Sequence, residues 1–205
     1  MTTETAPNYL APYLTAASRH GAGFSSLLWA SPYTQAVRFA ALTRMVGLNG
    51  KSLLDVGCGR ADLLDFLLER KIKPAHYVGL EGVTALADAA EAKNHKDAMI
   101  VRADFVREPL RMFVAADVVY FSGSLNTLDP QTFYATIRSA FDAAAEMLVF
   151  NFLCSPQLAG MNYLHWHQPS EVWSFCKTLT DDVRRLDDYL HGDTTFALTK
   201  HEEHA

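Results

Sequence analysis

Residues 53–64 read LLDVGCGRADLL, an apolar run that breaks at Gly57-Cys58-Gly59 and passes at once into a helical pattern. Leu63, Leu64, Phe66, Leu67 and Leu68 supply the apolar face of that helix, and Pro74 is its stop signal. Four more short apolar runs follow: HYVGLE (76–81), AMIVRAD (98–104), ADVVYF (116–121) and EMLVFNF (146–152). Helical stretches separate them, among them TALADAAEAK, read as a solvated amphipathic helix, and QTFYATIRSAFDAAA, opened by Pro130. Parallel strands require such crossovers, so the class is α/β, a doubly wound sheet with helices on both faces. After a helix from Ser170 to about Leu179, DVRRLDDYL and TTFALTK read as a C-terminal antiparallel hairpin with a tight turn at His191-Gly192-Asp193. That makes seven strands, mostly parallel. Upstream, Thr34 to Gly47 place Ala36, Phe39, Leu42 and Val46 on one helical stripe, with Arg38 and Arg44 off it.

The chain has 205 residues, 49% hydrophobic and 20% charged, with a formal net charge of -5. These values suit an ordinary folded domain and exclude a disordered chain. No repeat or Pro/Gly/Ser linker divides the chain, so one domain over residues 1–205 is expected: a helical cap over 1–50 and a core over 51–200. The closing HEEHA reads as a frayed end. Lysines and arginines are scattered singly, which argues against nucleic acid as a partner. The longest nearly uncharged stretch, from Met112 to Leu125, is interrupted by Asp117 and falls short of the ~20 residues of a membrane span. The N-terminus lacks the pattern of a secretory signal. Cys58, Cys154 and Cys176 are odd in number and far apart, which suits reduced thiols and a cytoplasmic location.

A glycine turn between the first strand and its helix lets a ligand approach the backbone, with helix N-terminal N–H groups facing it. A dinucleotide fingerprint needs glycine where Asp62 stands, and a phosphate-binding GxxxxGK[ST] is absent. Asp55, near the end of the first strand, favours a ligand with positive charge and no phosphate. S-adenosyl-L-methionine, with its ammonium and sulfonium, meets that demand. Glu81 ends the second strand, placed for two ribose hydroxyls with Gly82 leaving room beside it. Asp104 ends the third, placed for the adenine amino group, and Phe105 for the ring plane.

LLDVGCGRADL, VGLEG and VRADF, in that order and spacing, resemble the opening motifs of the class I S-adenosylmethionine-dependent methyltransferases. ADVVYFSGSLNTL and EMLVFNFL resemble the fourth- and fifth-strand motifs, and the terminal hairpin is similar to the last two strands of that fold. The segment from WASPYTQAVRF to DYLHGDTTFALTK is similar to a bacterial set of methyltransferase-like proteins. Ala61 stands where the third glycine of the common form often lies. The resemblance implies that Asp55, Gly57 and Gly59 line the methionine end, with Ser122 and Gly123 near the sulfonium and Cys58 within the same cofactor-binding turn. It also implies an N-terminal helix closing over the cofactor, which makes Tyr33 and Arg38 candidates, the latter for the methionine carboxylate.

Asn126 and Asn151, near the ends of strands four and five, and His165, Trp166 and His167 after strand five are candidates for the substrate side. HxH spacing also suggests metal, but no matched third ligand accompanies it, so no metal site is expected. Cys58 reads as a small packing residue. The expected activity is in-line methyl transfer to a small-molecule acceptor. A nicotinamide-dependent oxidoreductase and a catalytically silent cofactor-binding scaffold stand as alternatives.

Overall fold

In the computed structural model, which describes residues 9–201, seven strands form one sheet: β1 (Ser52–Val56), β2 (His76–Glu81), β3 (Ala98–Arg102), β4 (Val118–Phe121), β5 (Met147–Leu153), β6 (Val183–Leu186) and β7 (Asp193–Thr199). Their order is β3-β2-β1-β4-β5-β7-β6, with β1 to β5 parallel and the two C-terminal strands antiparallel. The order reverses beside β1, which places the Gly57 turn at a topological switch point, where α/β sheets open a crevice. The last strand lies between β5 and β6, and residues 187–192 join the pair, a longer connection than the expected tight turn. The HEEHA tail falls largely outside the described residues, as do residues 1–8 of the cap.

The period-2 alternation of the strands divides the core into two layers. Leu54, Val119, Phe121, Phe150 and Phe196 face one side, where Phe133, Ile137 and Val172 pack on them. Leu53, Tyr77, Val118, Tyr120 and Val149 face the other, against Phe39, Leu42, Phe66 and Leu67. Asp55 is two residues from Leu53 and therefore shares its face.

Six α-helices cover the sheet: α1 (Ala11–His20), α2 (Pro32–Met45), α3 (Asp62–Glu69), α4 (Thr84–Ala92), α5 (Pro130–Ala143) and α6 (Pro169–Cys176). Ser31 starts α2 earlier than the apolar stripe suggests: its Oγ accepts from Thr34 N–H at 3.2 Å while the Thr34 hydroxyl oxygen accepts from Ser31 N–H at 3.1 Å. Asp129 caps α5 by accepting from Thr132 N–H at 3.0 Å. Helix α3 stops before Pro74 has any effect: Lys71 turns left-handed at φ +62° and Ile72 N–H donates back to Leu67 C=O. Helix α4 is less solvated than its alanine-rich sequence suggests, since Leu86, Ala87 and Ala90 are buried.

Candidate functional site

At the carboxyl ends of β1, β2 and β4 the chain encloses a cavity of about 260 Å³. Its floor is the turn between β1 and α3. Gly57 has φ +74°, and a Cβ there would lie 2.5 Å from Ser124 Cβ, so glycine is required both by the backbone and by the loop after β4. Gly123, with φ +74°, lies under Trp29, whose ring would meet an added Cβ at 2.8 Å. Ala61 adopts the left-handed conformation, φ +55°, that the more usual glycine would take.

Asp55 and Glu81 both line the cavity and are 3% and 6% exposed. Burial pushes the Asp55 carboxyl up to about 7, against the opposing effect of the Tyr77 hydroxyl, which donates to Oδ2 at 2.7 Å; nearby Glu81 and Asp62 add to the rise. Burial also raises Glu81, while the backbone N–H groups of Val83 (2.7 Å to Oε1) and Gly59 (2.8 Å to Oε2) restrain it. Glu81 thus ties the end of β2 to the glycine turn. Asp104 lies in the loop two residues past β3 rather than in the strand; its Oδ1 accepts from Val106 N–H at 3.0 Å and its Oδ2 from the Tyr9 hydroxyl at 2.8 Å. Phe105 stands edge-on to Phe121 with ring centroids 5.6 Å apart and lines the same cavity.

The other expected site residues divide. Cys58, Gly59, Gly82, Ser122, Gly123, Asn126 and Arg38 line the cavity. Tyr33 does not: at the start of α2 it is 68% exposed. Arg38 is buried and ion-paired, its Nε donating to Asp193 Oδ2 at 2.8 Å and its Nη2 to the same oxygen, with the guanidinium over the Trp29 ring. The side chain expected at the methionine carboxylate therefore also anchors α2 to β7. Asn151 lies inside β5, away from the cavity; its Oδ1 accepts from Gly123 N–H at 2.9 Å, so it supports the loop from beneath. The Asn126 Oδ1 accepts from Leu153 N–H at 3.2 Å. His167 is a core residue stacked on Phe133, ring centroids 3.8 Å apart, and burial lowers it to about 4. Trp166 is exposed and lines neither the cavity nor the depression beside it, while His165 lines that outer depression. Asp62 also faces away, held by Lys93 at 2.8 Å and Arg60 at 2.9 Å. The case against a pyrophosphate therefore falls to Asp55 and Glu81.

Sequence reasoning missed Tyr9, Tyr13 and His191, all of which line the cavity. Tyr77 as the partner of Asp55 was within reach, since parallel β1 and β2 place Asp55 beside Gly79, two residues from Tyr77 on the same face. Nothing local marks His191, which reaches the site only because β7 pairs with β5. Among the described residues no group of three His, Cys, Asp or Glu side chains gathers to hold a metal ion, and no helix is long and apolar enough to cross a membrane.

Comparison with known proteins agrees with this geometry. Among solved structures, magnesium protoporphyrin IX methyltransferase from Synechocystis PCC 6803 with bound SAH superposes with a TM-score of 0.69 at 11% identity, covering 95% of this chain and 100% of that one. DhpI in complex with SAH gives 0.66 at 18% identity, covering 93% and 94%. The methyltransferase domain of bacterial CtHen1 gives 0.64 at 16% identity, covering 82% and 100%. No curated protein matches in sequence. The model of the methyltransferase domain family matches residues 54–156, from within β1 to just past β5. The chain belongs to that family, in its class I form with the seven-stranded sheet.

Proposed function

We propose that the protein binds S-adenosyl-L-methionine at the Gly57 turn and transfers its methyl group to a small-molecule acceptor. One observation carries the reading: Asp55 and Glu81 are buried beside a cavity, and among the described residues neither is paired with a lysine or arginine. Buried carboxylates without a cation are costly, and a cationic ligand without phosphate relieves them. The relatives crystallised with SAH or SAM point the same way.

In this reading residues 1–50 form the cap and 51–200 the cofactor-binding core of one domain. Asp55 receives the ammonium, directly or through water. Glu81 takes the ribose hydroxyls on the lone pairs that its two backbone donors leave free. Asp104 and Phe105 frame the adenine, while Cys58, Gly59 and Gly82 leave the backbone open to the ligand. Ser122 and Gly123 stand at the reacting end, with Asn126 and Asn151 holding their loop. Arg38, tied to Asp193, closes the methionine end as a wall. When bound, the cofactor supplies a methyl on a sulfonium: the acceptor lone pair forms the new bond as the C–S pair passes to sulfur. The chain's contribution is alignment, holding acceptor and donor about 3 Å apart and in line, with water kept out by Trp29 and α1. His191, on the cavity rim, is the histidine placed to take a proton from an acceptor that sheds one.

Calorimetry tests the site. Asp55→Ala and Glu81→Ala should each abolish measurable S-adenosylmethionine binding, with a native circular dichroism spectrum retained. Unchanged affinity in both would falsify the assignment. Methyl transfer confined to RNA or DNA, with small acceptors inert, would refute the acceptor class.

A further inference from the structure

We propose that the acceptor is a small apolar molecule carrying one anionic group, and that Arg19 at the end of α1 receives that group. The proposal rests on the methyl-transfer reading above and names its substrate class.

The cavity shares Tyr9, Leu28, Thr127 and Tyr163 with a wider depression beside it. The outer depression brings Arg19 and His20 from α1 together with His165 from the loop after β5. Among the described residues its one carboxylate is Asp129, whose two oxygens accept from the backbone N–H and hydroxyl of Thr132 at the cap of α5. Each of the other described arginines has a partner within the chain, whether carboxylate, carbonyl, ring or another side chain. Arg19 has none among the described residues. A cation near a helix C-terminus is ordinary, but that preference does not account for His165 reaching the same depression from a separate segment.

The inner end of the space has the opposite chemistry. Leu153, Leu158, Leu164 and Leu190 line it with Trp29, and the buried Ser122 side chain lines the same space. A molecule occupying both parts therefore sets a polar reacting atom beside Ser122, an apolar body along the leucines and an anion, carboxylate or phosphate, at Arg19. Among the described residues Arg19 is the one lysine or arginine lining the depression, on a chain whose formal net charge is -5, so an anion is drawn to this contact and not to the surface at large.

Three probes of one shape carry the test: 4-hydroxyphenylacetate, its neutral amide and the cationic tyramine, titrated calorimetrically at low salt into the full chain saturated with S-adenosylhomocysteine. The carboxylate should bind about tenfold more tightly than the amide, as a charge-assisted contact warrants, with tyramine weakest. Arg19→Glu should erase that preference and leave S-adenosylhomocysteine affinity unchanged, while Arg19→Lys keeps most of it. The proposal is overturned if the carboxylate binds no better than the amide, if none of the three binds, or if Arg19→Glu keeps the preference. Failure of S-adenosylhomocysteine itself to bind removes the methyl-transfer reading and this proposal with it. Binding without charge preference overturns this proposal alone. Benzyl phosphate against benzyl alcohol then separates phosphate from carboxylate recognition.

Discussion

Asp55 is a carboxyl that its own burial discourages from ionising. Burial pushes it up to about 7 and Tyr77 only partly offsets this. The sign of the consequence follows directly. A protonated carboxyl offers an ammonium no charge, so a cationic ligand selects the ionised form and drives the proton off. At pH 6, where the ligand's ammonium is fully charged, binding of S-adenosylmethionine should release close to one proton from this residue, as read by calorimetry in buffers of different ionisation enthalpy. Release should shrink through pH 7 and fade above it. Asp55→Asn, which keeps an acceptor for Tyr77, should remove that release and weaken binding by roughly 2 kcal/mol or more, the scale for truncating one side of a buried charged contact. Equal release by both proteins would move the cation to another carboxylate, with Glu81 the first candidate.

Helix α2 and strand β7 are joined by one buried pair, Arg38 with Asp193, which the Tyr189 hydroxyl also reaches. Removing either partner strands a charge in the core, at a cost of about 3–5 kcal/mol. Arg38→Met and Asp193→Asn should therefore each lower the Tm sharply, and the double variant should lose much less than the two losses combined. Additive losses in a denaturation cycle would show that the two side chains act independently. This pair also marks what the sequence could convey. The five parallel strands were legible because each is a short apolar run between helical patterns, and the carboxylates could be read because they stand at strand ends. The insertion of β7 between β5 and β6 was not legible, since alternation within a strand fixes which face is buried but says nothing of which strand lies alongside. The pairing of Arg38 with Asp193 was hidden for the same reason: the two are 155 positions apart. The site end contributed by β7, including His191, was hidden with it, and His165-Trp166-His167, adjacent in sequence, point to three different surroundings.

At the scale of the whole molecule, a sheet buried on both faces carries a thinly buried N-terminal helix. The strands carry the two core layers, whereas α1 buries a single residue, Ala16. Beyond that, α1 is held by Ser26, whose hydroxyl donates to Ala16 C=O at 3.3 Å and to Gly21 C=O at 2.6 Å, and at the cavity, where the Tyr9 hydroxyl donates to Asp104 at 2.8 Å and Leu10 and Tyr13 line the space. Elements with few buried contacts open at low free-energy cost, so entry to the cavity is through α1 rather than through the sheet. A ligand filling the cavity adds contacts to α1 and should close it. Amide exchange over Ala11–His20 should slow at least about tenfold on adding S-adenosylmethionine, while β4 and β5, already protected by global stability, change little. Tyr9→Phe removes one hydrogen bond to a carboxylate, worth about 1.5–3 kcal/mol when fully formed and less at this half-buried position. It should speed cofactor dissociation several-fold in stopped-flow displacement, with the fold and the bound geometry intact. Exchange in α1 that ignores the ligand, together with an unaltered dissociation rate in Tyr9→Phe, would mean that the cover is fixed and the ligand enters from the Leu158–Leu190 side.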